Sequence, residues 1–81
     1  MSEKIKVFWK IDCPKCPAAK TLVAGSLNAE LFNLDEVDGL AEAAFYGVMS
    51  TPSIVITDES GKEVASWRGE VPSKQDIEKW L

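Results

Sequence analysis

Ile5-Lys6-Val7-Phe8-Trp9, then Lys10-Ile11-Asp12, then Cys13-Pro14-Lys15-Cys16 is the stretch that decides how the chain is read. The first five residues mix β-branched and aromatic side chains and predict a strand, buried on both faces at its end. The next three form a short loop, and the only two cysteines of the chain follow it directly. If Cys16 falls one helical turn beyond Cys13, both sulfurs lie on one face of a helix start. A disulfide between them then opens and closes with little backbone movement. Two thiols at that spacing, in a chain with no others, point to disulfide chemistry in which the pair carries two electrons.

Three other uses of the pair compete with that one. A tetrahedral zinc site needs four N, S or O ligands, and the sequence offers one cysteine pair and no histidine, so a carboxylate or a second subunit would have to complete it. A structural staple is poorly placed here. Closing a four-residue loop is worth only about 2 kcal/mol, against roughly 4 kcal/mol or more for a long one. Idle thiols belong in an apolar core rather than at a strand-to-helix turn.

A chain of 81 residues makes one domain, 1–81, near the lower end of what folds without extra staples. Its 46% apolar and 27% charged residues predict a packed core rather than disorder. The formal charge of −4 and the lack of a Lys/Arg cluster argue against a nucleic-acid partner and leave proteins or small thiols. Met1-Ser2-Glu3-Lys4 leads into the first strand without the charged and apolar regions of a secretory signal, and no run is long enough to span a membrane. The expectation is a cytoplasmic monomer. In that reducing compartment a thiol pair is more often catalytic or metal-binding than structural.

Further along, the pattern is helical from Lys15 to about Leu27, with Ala19, Leu22, Val23 and Leu27 forming one stripe and Gly25 and Asn28 marking the end. Ala29 to Asp35 predicts a second strand, and Asp38-Gly39 opens a helix through Leu40 to Tyr46 that Gly47 closes. After Thr51-Pro52, Ser53-Ile54-Val55-Ile56-Thr57 is the clearest strand. Asp58 to Gly61 is a turn, and Lys62 to Arg68 returns as a hairpin partner with Val64 and Ser66 on one face. Ser73 caps a last helix, where Asp76 is placed to complete a reciprocal cap and Ile77, Trp80 and Leu81 form the apolar face. The order β-α-β-α-β-β-α predicts an α/β fold. Its small four-stranded mixed sheet is parallel first and antiparallel later, with helices on both faces.

Over nearly its whole length the chain resembles the thioredoxin and glutaredoxin superfamily. Four features agree in order and spacing: the Cys13-Pro14-Lys15-Cys16 turn, Thr51-Pro52 before the third strand, the Gly61-Lys62-Glu63-Val64 hairpin and the closing helix. Cys-Pro-x-Cys followed by Ala19-Lys20, with Lys10 ahead of it, is similar to glutaredoxins. Phe8-Trp9, Tyr46-Gly47-Val48 and the stretch Asp58 to Val64 with Gly69 are more similar to thioredoxins. The whole looks like a short glutaredoxin-like thioredoxin of bacteria or archaea, which implies a thioredoxin-like fold and thiol–disulfide oxidoreductase activity. Two departures stand out. Val7 occupies the position where thioredoxins usually carry a buried aspartate, and Arg68-Gly69-Glu70-Val71-Pro72 replaces the Gly-Gly and acidic patch with which glutaredoxins hold glutathione.

The resemblance assigns Cys13 as the nucleophile and Cys16 as the resolving thiol. If Pro14 is the first helical residue, Cys13 is the N-cap, and the helix dipole favours its thiolate by about 0.3 to 1 kcal/mol. Lys15 adds attraction and Asp12 opposes it. Pro17 would then stand at the fourth helical position without an N–H to donate, so either the first turn is distorted or the regular helix starts later, near Cys16. Sequence alone favours a trans Thr51-Pro52 bond. The resemblance instead implies a cis bond facing the cysteines, whose backbone pairs with an extended substrate. Trp9, Pro14, Lys15, Thr51 and Pro52 are the expected substrate-binding residues. Lys10 is a candidate for attracting anionic partners, and Trp67 and Trp80 are packing residues. No cofactor and no metal are expected. The expected partners are disulfide-containing proteins and an electron donor of the thioredoxin-reductase kind or a small thiol. The alternatives are a binding or metal-handling module with ligands shared across a dimer, and a glutathione-dependent glutaredoxin.

Overall fold

The computed structural model describes residues 3–81, so the reading of Met1 and Ser2 as a plain lead-in lies outside the described residues. The elements are β1 (Lys4–Trp9), α1 (Cys16–Val23), β2 (Ala29–Asn33), α2 (Val37–Phe45), β3 (Ser53–Thr57), β4 (Glu63–Arg68) and α3 (Lys74–Ile77), with a 3-10 turn over Glu78–Trp80. The order is the expected one, and the sheet runs β2-β1-β3-β4. β1 is parallel to β2, because α1 carries the chain back across the sheet, and antiparallel to β3, while β3 and β4 form the hairpin.

The period of two in the central strands sorts their side chains between two cores. Ile5, Val7, Ile54 and Ile56 face α1 and α3, where they pack with Ala19, Val23 and Ile77. Phe8 and Val55 point the other way, toward α2, with Leu34, Ala43 and Val48. Helices therefore cover both faces. Trp67 and Trp80 seal the edge of the first core in an edge-to-face contact, ring centroids 5.8 Å apart, in the packing role expected of them.

Several boundaries differ from the sequence pattern for identifiable reasons. α1 stops at Val23, and Leu27 is fully exposed at 103% rather than fourth in the apolar stripe. Gly25 turns the chain at φ +88°, and Asn28 is then fixed in place: its carbonyl accepts from Ile5 N–H, and its amide donates to the carbonyls of Glu3 and Trp80. In the hairpin, Ile56 faces Ala65 while Thr57 faces Glu63, which leaves Val64 as an unpaired bulge residue. Ala65 and Trp67, not Val64 and Ser66, therefore turn toward the core. The Asp58 carboxylate accepts from Ser60 Oγ and from the N–H groups of Ser60 and Lys62, which holds it below the ordinary aspartate pKa and shapes the turn. Ser73 Oγ accepts from Asp76 N–H, so the forward half of the expected cap on α3 is formed.

α2 begins at Val37, so Gly39 lies inside its first turn rather than ahead of it. A Cβ at Gly39 would run into the backbone carbonyl of Asn33, which explains the glycine by close approach of α2 to the end of β2. The other end closes as expected. Gly47, at φ +67°, donates to Ala44 O, and Val48 N–H donates to Ala43 O, the paired bonds of a glycine-terminated helix.

Beneath α2, β1 contributes a buried charge. Lys6 Nζ donates to Glu42 at 2.9 Å, lies 3.6 Å from Glu30, and sits over the rings of Phe32 and Tyr46. Burial works against the ammonium, but the hydrogen bond and charge of Glu42, with Tyr46 and Glu30, outweigh it and hold Lys6 above the ordinary lysine pKa.

Two outcomes follow for stability. Gly39→Ala gains about 1 kcal/mol of helix propensity but overpacks a backbone contact, so urea unfolding should show a net loss of about 2 kcal/mol or more. Lys6, with its raised folded pKa, contributes stability that is full below the unfolded value of about 10.4 and is lost as pH rises through the folded value. Unfolding midpoints taken across alkaline pH should therefore fall less steeply in Lys6→Met than in the parent. An identical alkaline fall in both would remove Lys6 from the account.

Candidate active site

The register Phe8–Ser53–Arg68 across β1, β3 and β4 brings Trp9, Pro52 and Gly69 to one end of the sheet. The parallel pair β1 and β2 ends there too, with Leu34 N–H donating to Trp9 O at 2.8 Å. The cysteine segment leaves β1 at this end, the usual place for a site in an open α/β sheet. Its approach is tied down by Ile11 N–H, which donates to the Asp35 carboxylate at 3.0 Å.

Cys13 and Cys16 are joined as a disulfide across Cα atoms 5.3 Å apart. Cys16 N–H donates to Cys13 O at 3.2 Å, and Lys15 has φ −94° and ψ −10°, so Cys13 to Cys16 form a type I β-turn with Pro14 at its favoured second position. α1 then starts at Cys16, with Lys15 as N-cap and Ala19 N–H making a helical bond to Lys15 O. This corrects the placement of Cys13 as the N-cap. Of the two arrangements open for Pro17, the later helix start is the one adopted. Pro17 is thereby the second helical residue, where no intrahelical donor is needed, and its missing N–H costs nothing.

The two sulfurs differ in access. Cys16 is 1% exposed, whereas Cys13 is half-buried, with Pro14 and Lys15 exposed beside it. Trp9 is half-buried, and Lys20 Nζ lies 3.2 Å from the centroid of its indole ring. Lys20 is one turn beyond Cys16, an i, i+4 relation that could have singled it out in the sequence. Lys10 is exposed at the same end of the sheet, and Val7 is fully buried in the α1 core.

The Thr51–Pro52 peptide bond is cis, with Thr51 half-buried and Pro52 buried. Its setting is built by neighbours that sequence reasoning left without a role. Gly69 N–H donates to Pro52 O at 2.9 Å and to Ser53 Oγ at 3.3 Å, and Ser53 Oγ donates to Ser50 O at 2.8 Å. Gly69 has φ +77°, and a Cβ there would stand 3.2 Å from Ser50 Oγ, so both conformation and space call for glycine. Arg68 grips both Glu63 carboxylate oxygens at 3.0 Å and donates to Tyr46 O at 2.9 Å and to Ser66 Oγ, fastening β4 to the end of α2. The hydrogen bond between them holds Glu63 below and Arg68 above their ordinary pKa values.

A cysteine pair at the carboxyl end of β1, a buried proline preceding β3 and this sheet order define a thioredoxin-like fold. The family model described as a thioredoxin domain matches residues 3–81, and the chain belongs to that family. A thioredoxin of Methanocaldococcus jannaschii is 34% identical over 61 residues, covering 69% of this chain and 72% of that one. Among solved structures, a mutant thioredoxin of Halobacterium salinarum superimposes with a TM-score of 0.75 at 20% identity, covering 96% of this chain and 70% of that one. A thioredoxin-fold protein of Helicobacter pylori gives 0.74 at 21%, covering 94% and 65%. At such identities these structures speak to the fold alone. Family and cysteine pair together support thiol–disulfide oxidoreductase chemistry. Among the described residues no helix is long and apolar enough to cross a membrane.

Proposed function

We propose that the chain is a small dithiol–disulfide oxidoreductase that reduces disulfides in protein substrates, with Cys13 attacking and Cys16 resolving. The observation that supports this most is the difference in access between the two bonded sulfurs, Cys13 half-buried and Cys16 almost fully buried. In the reduced protein the Cys13 thiolate attacks one sulfur of the substrate disulfide, forms a mixed disulfide and releases one substrate thiolate. Cys16 then attacks the Cys13 sulfur, which closes the Cys13–Cys16 bond and releases the second substrate thiol. Two electrons and the Cys16 proton pass to the substrate, which leaves as one thiolate and one thiol. The positive end of α1, which begins at Cys16, favours the thiolate through about 0.3 to 1 kcal/mol of dipole interaction.

In this reading Trp9, Pro14 and Lys15 border the attacking sulfur, while the Thr51–Pro52 backbone receives an extended substrate segment. The donor that reloads the dithiol is a thioredoxin-reductase-like protein or a small thiol, and the protein works as a monomer in a reducing compartment such as the cytoplasm. A protein donor is favoured over glutathione. The Arg68-Gly69-Glu70-Val71 stretch lacks a Gly-Gly, and its Arg68 and Gly69 donors are already engaged within the fold. A tripeptide has few other atoms with which to make up such contacts. A metal-handling role would need further ligands, since among the described residues no three His, Cys, Asp or Glu side chains gather.

The assignment of the two sulfurs is tested by trapping. Cys16→Ser should accumulate a mixed disulfide with a protein substrate and Cys13→Ser should form none. Equal trapping by both would sink it. For the donor, the oxidised protein should be reduced several-fold faster by NADPH with a thioredoxin reductase than by glutathione with its reductase at matched flux. The reverse ranking, with reductases from more than one source, would move the protein to the glutaredoxin side.

A further inference from the structure

α2 is apolar on both of its sides. Gly39 and Ala43 are buried against the sheet. Val37, Leu40, Ala41, Ala44 and Phe45 recur at i, i+3, i+4, i+7 and i+8 and face outward, with Val37 82%, Leu40 56% and Phe45 77% exposed. A surface helix normally turns charged or polar side chains outward, and Asp38 and Glu42 are the only ones within α2. Single exposed apolar side chains need no explanation, whereas a continuous stripe does. Helix propensity does not supply one, because Val37 and Phe45 are poorer helix formers than the Ala, Lys or Glu that would serve on a solvated face.

The stripe has an anionic setting. Asp35, Glu36 and Asp38 are exposed around its amino end, and no Lys or Arg occurs between Lys20 and Lys62. The cations against α2 are already engaged, Lys6 beneath it by Glu42 and Glu30 and Arg68 at its carboxyl end by Glu63. Negative charge disfavours an anionic membrane or a nucleic acid as the occupant. A second copy docking with its helix parallel to this one would set two anionic rims against each other, and an antiparallel copy would show itself as a dimer. The footprint is also small, since nine residues of helix are about 14 Å long. That falls well short of the roughly 800 Å² per partner of a stable interface and suits a transient encounter.

We propose that the outer face of α2 docks a partner protein through a segment whose apolar side chains are flanked by Lys or Arg. Apolar contact along Val37, Leu40 and Phe45 supplies the affinity, and the acidic rim steers and selects the partner. The surface acts independently of the cysteine chemistry, so its existence does not rest on the redox reading.

Three synthetic helical peptides test this by titration against the isotopically labelled protein, following backbone amide shifts. One carries Leu at i, i+3, i+4 and i+7 flanked by Lys, the second has Glu in place of Lys, and the third has Ser in place of Leu. The Leu–Lys peptide should shift amides of Val37 to Phe45 and weaken as salt is raised, and the other two should bind at least tenfold more weakly. The double variant Leu40→Ser/Phe45→Ser should lose at least tenfold in affinity for the Leu–Lys peptide while reducing a small-molecule disulfide at the parent rate. Asp38→Lys, which leaves the stripe intact, should lower affinity for the Leu–Lys peptide and raise it for the Leu–Glu one. Equal binding of all three peptides, shifts centred elsewhere, or unchanged affinity in the variants would overturn the proposal. So would a concentration-dependent dimer abolished by Leu40→Ser/Phe45→Ser, which would assign the face to a second copy.

Discussion

The alternation of side chains along β1 is the constraint on which the other elements depend. Ile5 and Val7 seat α1 and α3, and Phe8, on the opposite face, joins the core beneath α2. A shift of one residue in its pairing with β3 would exchange the two sets, mispack both cores and place the Lys6 ammonium among the apolar residues of the α1 core. The same register fixes the far end of the strand. Because Phe8 stands opposite Ser53, Trp9 and Pro52 arrive at one edge, and the cysteine loop has one direction in which to leave. Fold and site are thus set by a single ladder.

Lys6 complicates that picture and shows how the fold copes. In strict alternation it belongs to the α2 face, where a charge in an apolar layer is costly. Glu42 from α2 and Glu30 from β2 meet its ammonium, and the rings of Phe32 and Tyr46 lie over it. Helix, edge strand and central strand are therefore coupled by one polar contact in addition to their packing. A pair like this adds little net stability over an apolar core of the same volume, but removing one partner leaves the other stranded.

Element types were legible in the sequence because they rest on local pattern: β-branched runs for β1 and β3, glycine at the end of α2, serine at the start of α3. What could not be read depended on contacts that exist only in the folded chain. Leu27 fits the helical stripe by spacing, yet Asn28 is held by Ile5, Glu3 and Trp80, and the helix ends before it. Gly39 reads as a helix opener until the Asn33 backbone is seen against it. Ser53 carried no signal of its own and Gly69 only that of the family resemblance, since their partners Ser50 and Pro52 lie across a turn and across the sheet. In the candidate site the sequence pointed to the cysteines and Thr51-Pro52. The contacts that Lys20, Ser53, Arg68 and Gly69 make around them emerged only in three dimensions.

Pro17 conflicts with a helix that starts at Pro14, and its resolution bears on how the cysteine pair works. Moving the helix start to Cys16 makes the four residues Cys13 to Cys16 a turn of their own, closed by Cys16 N–H on Cys13 O and stiffened by Pro14. Pro17 follows directly, with its own φ fixed, in the first turn of α1. Backbone freedom is therefore restricted on both sides of Cys16. Opening and closing a disulfide across such a turn calls for rotation about the cysteine side-chain bonds and little else. Little conformational entropy then separates the dithiol from the disulfide, and the balance between them is left to the chemistry of the two sulfurs and of their partner.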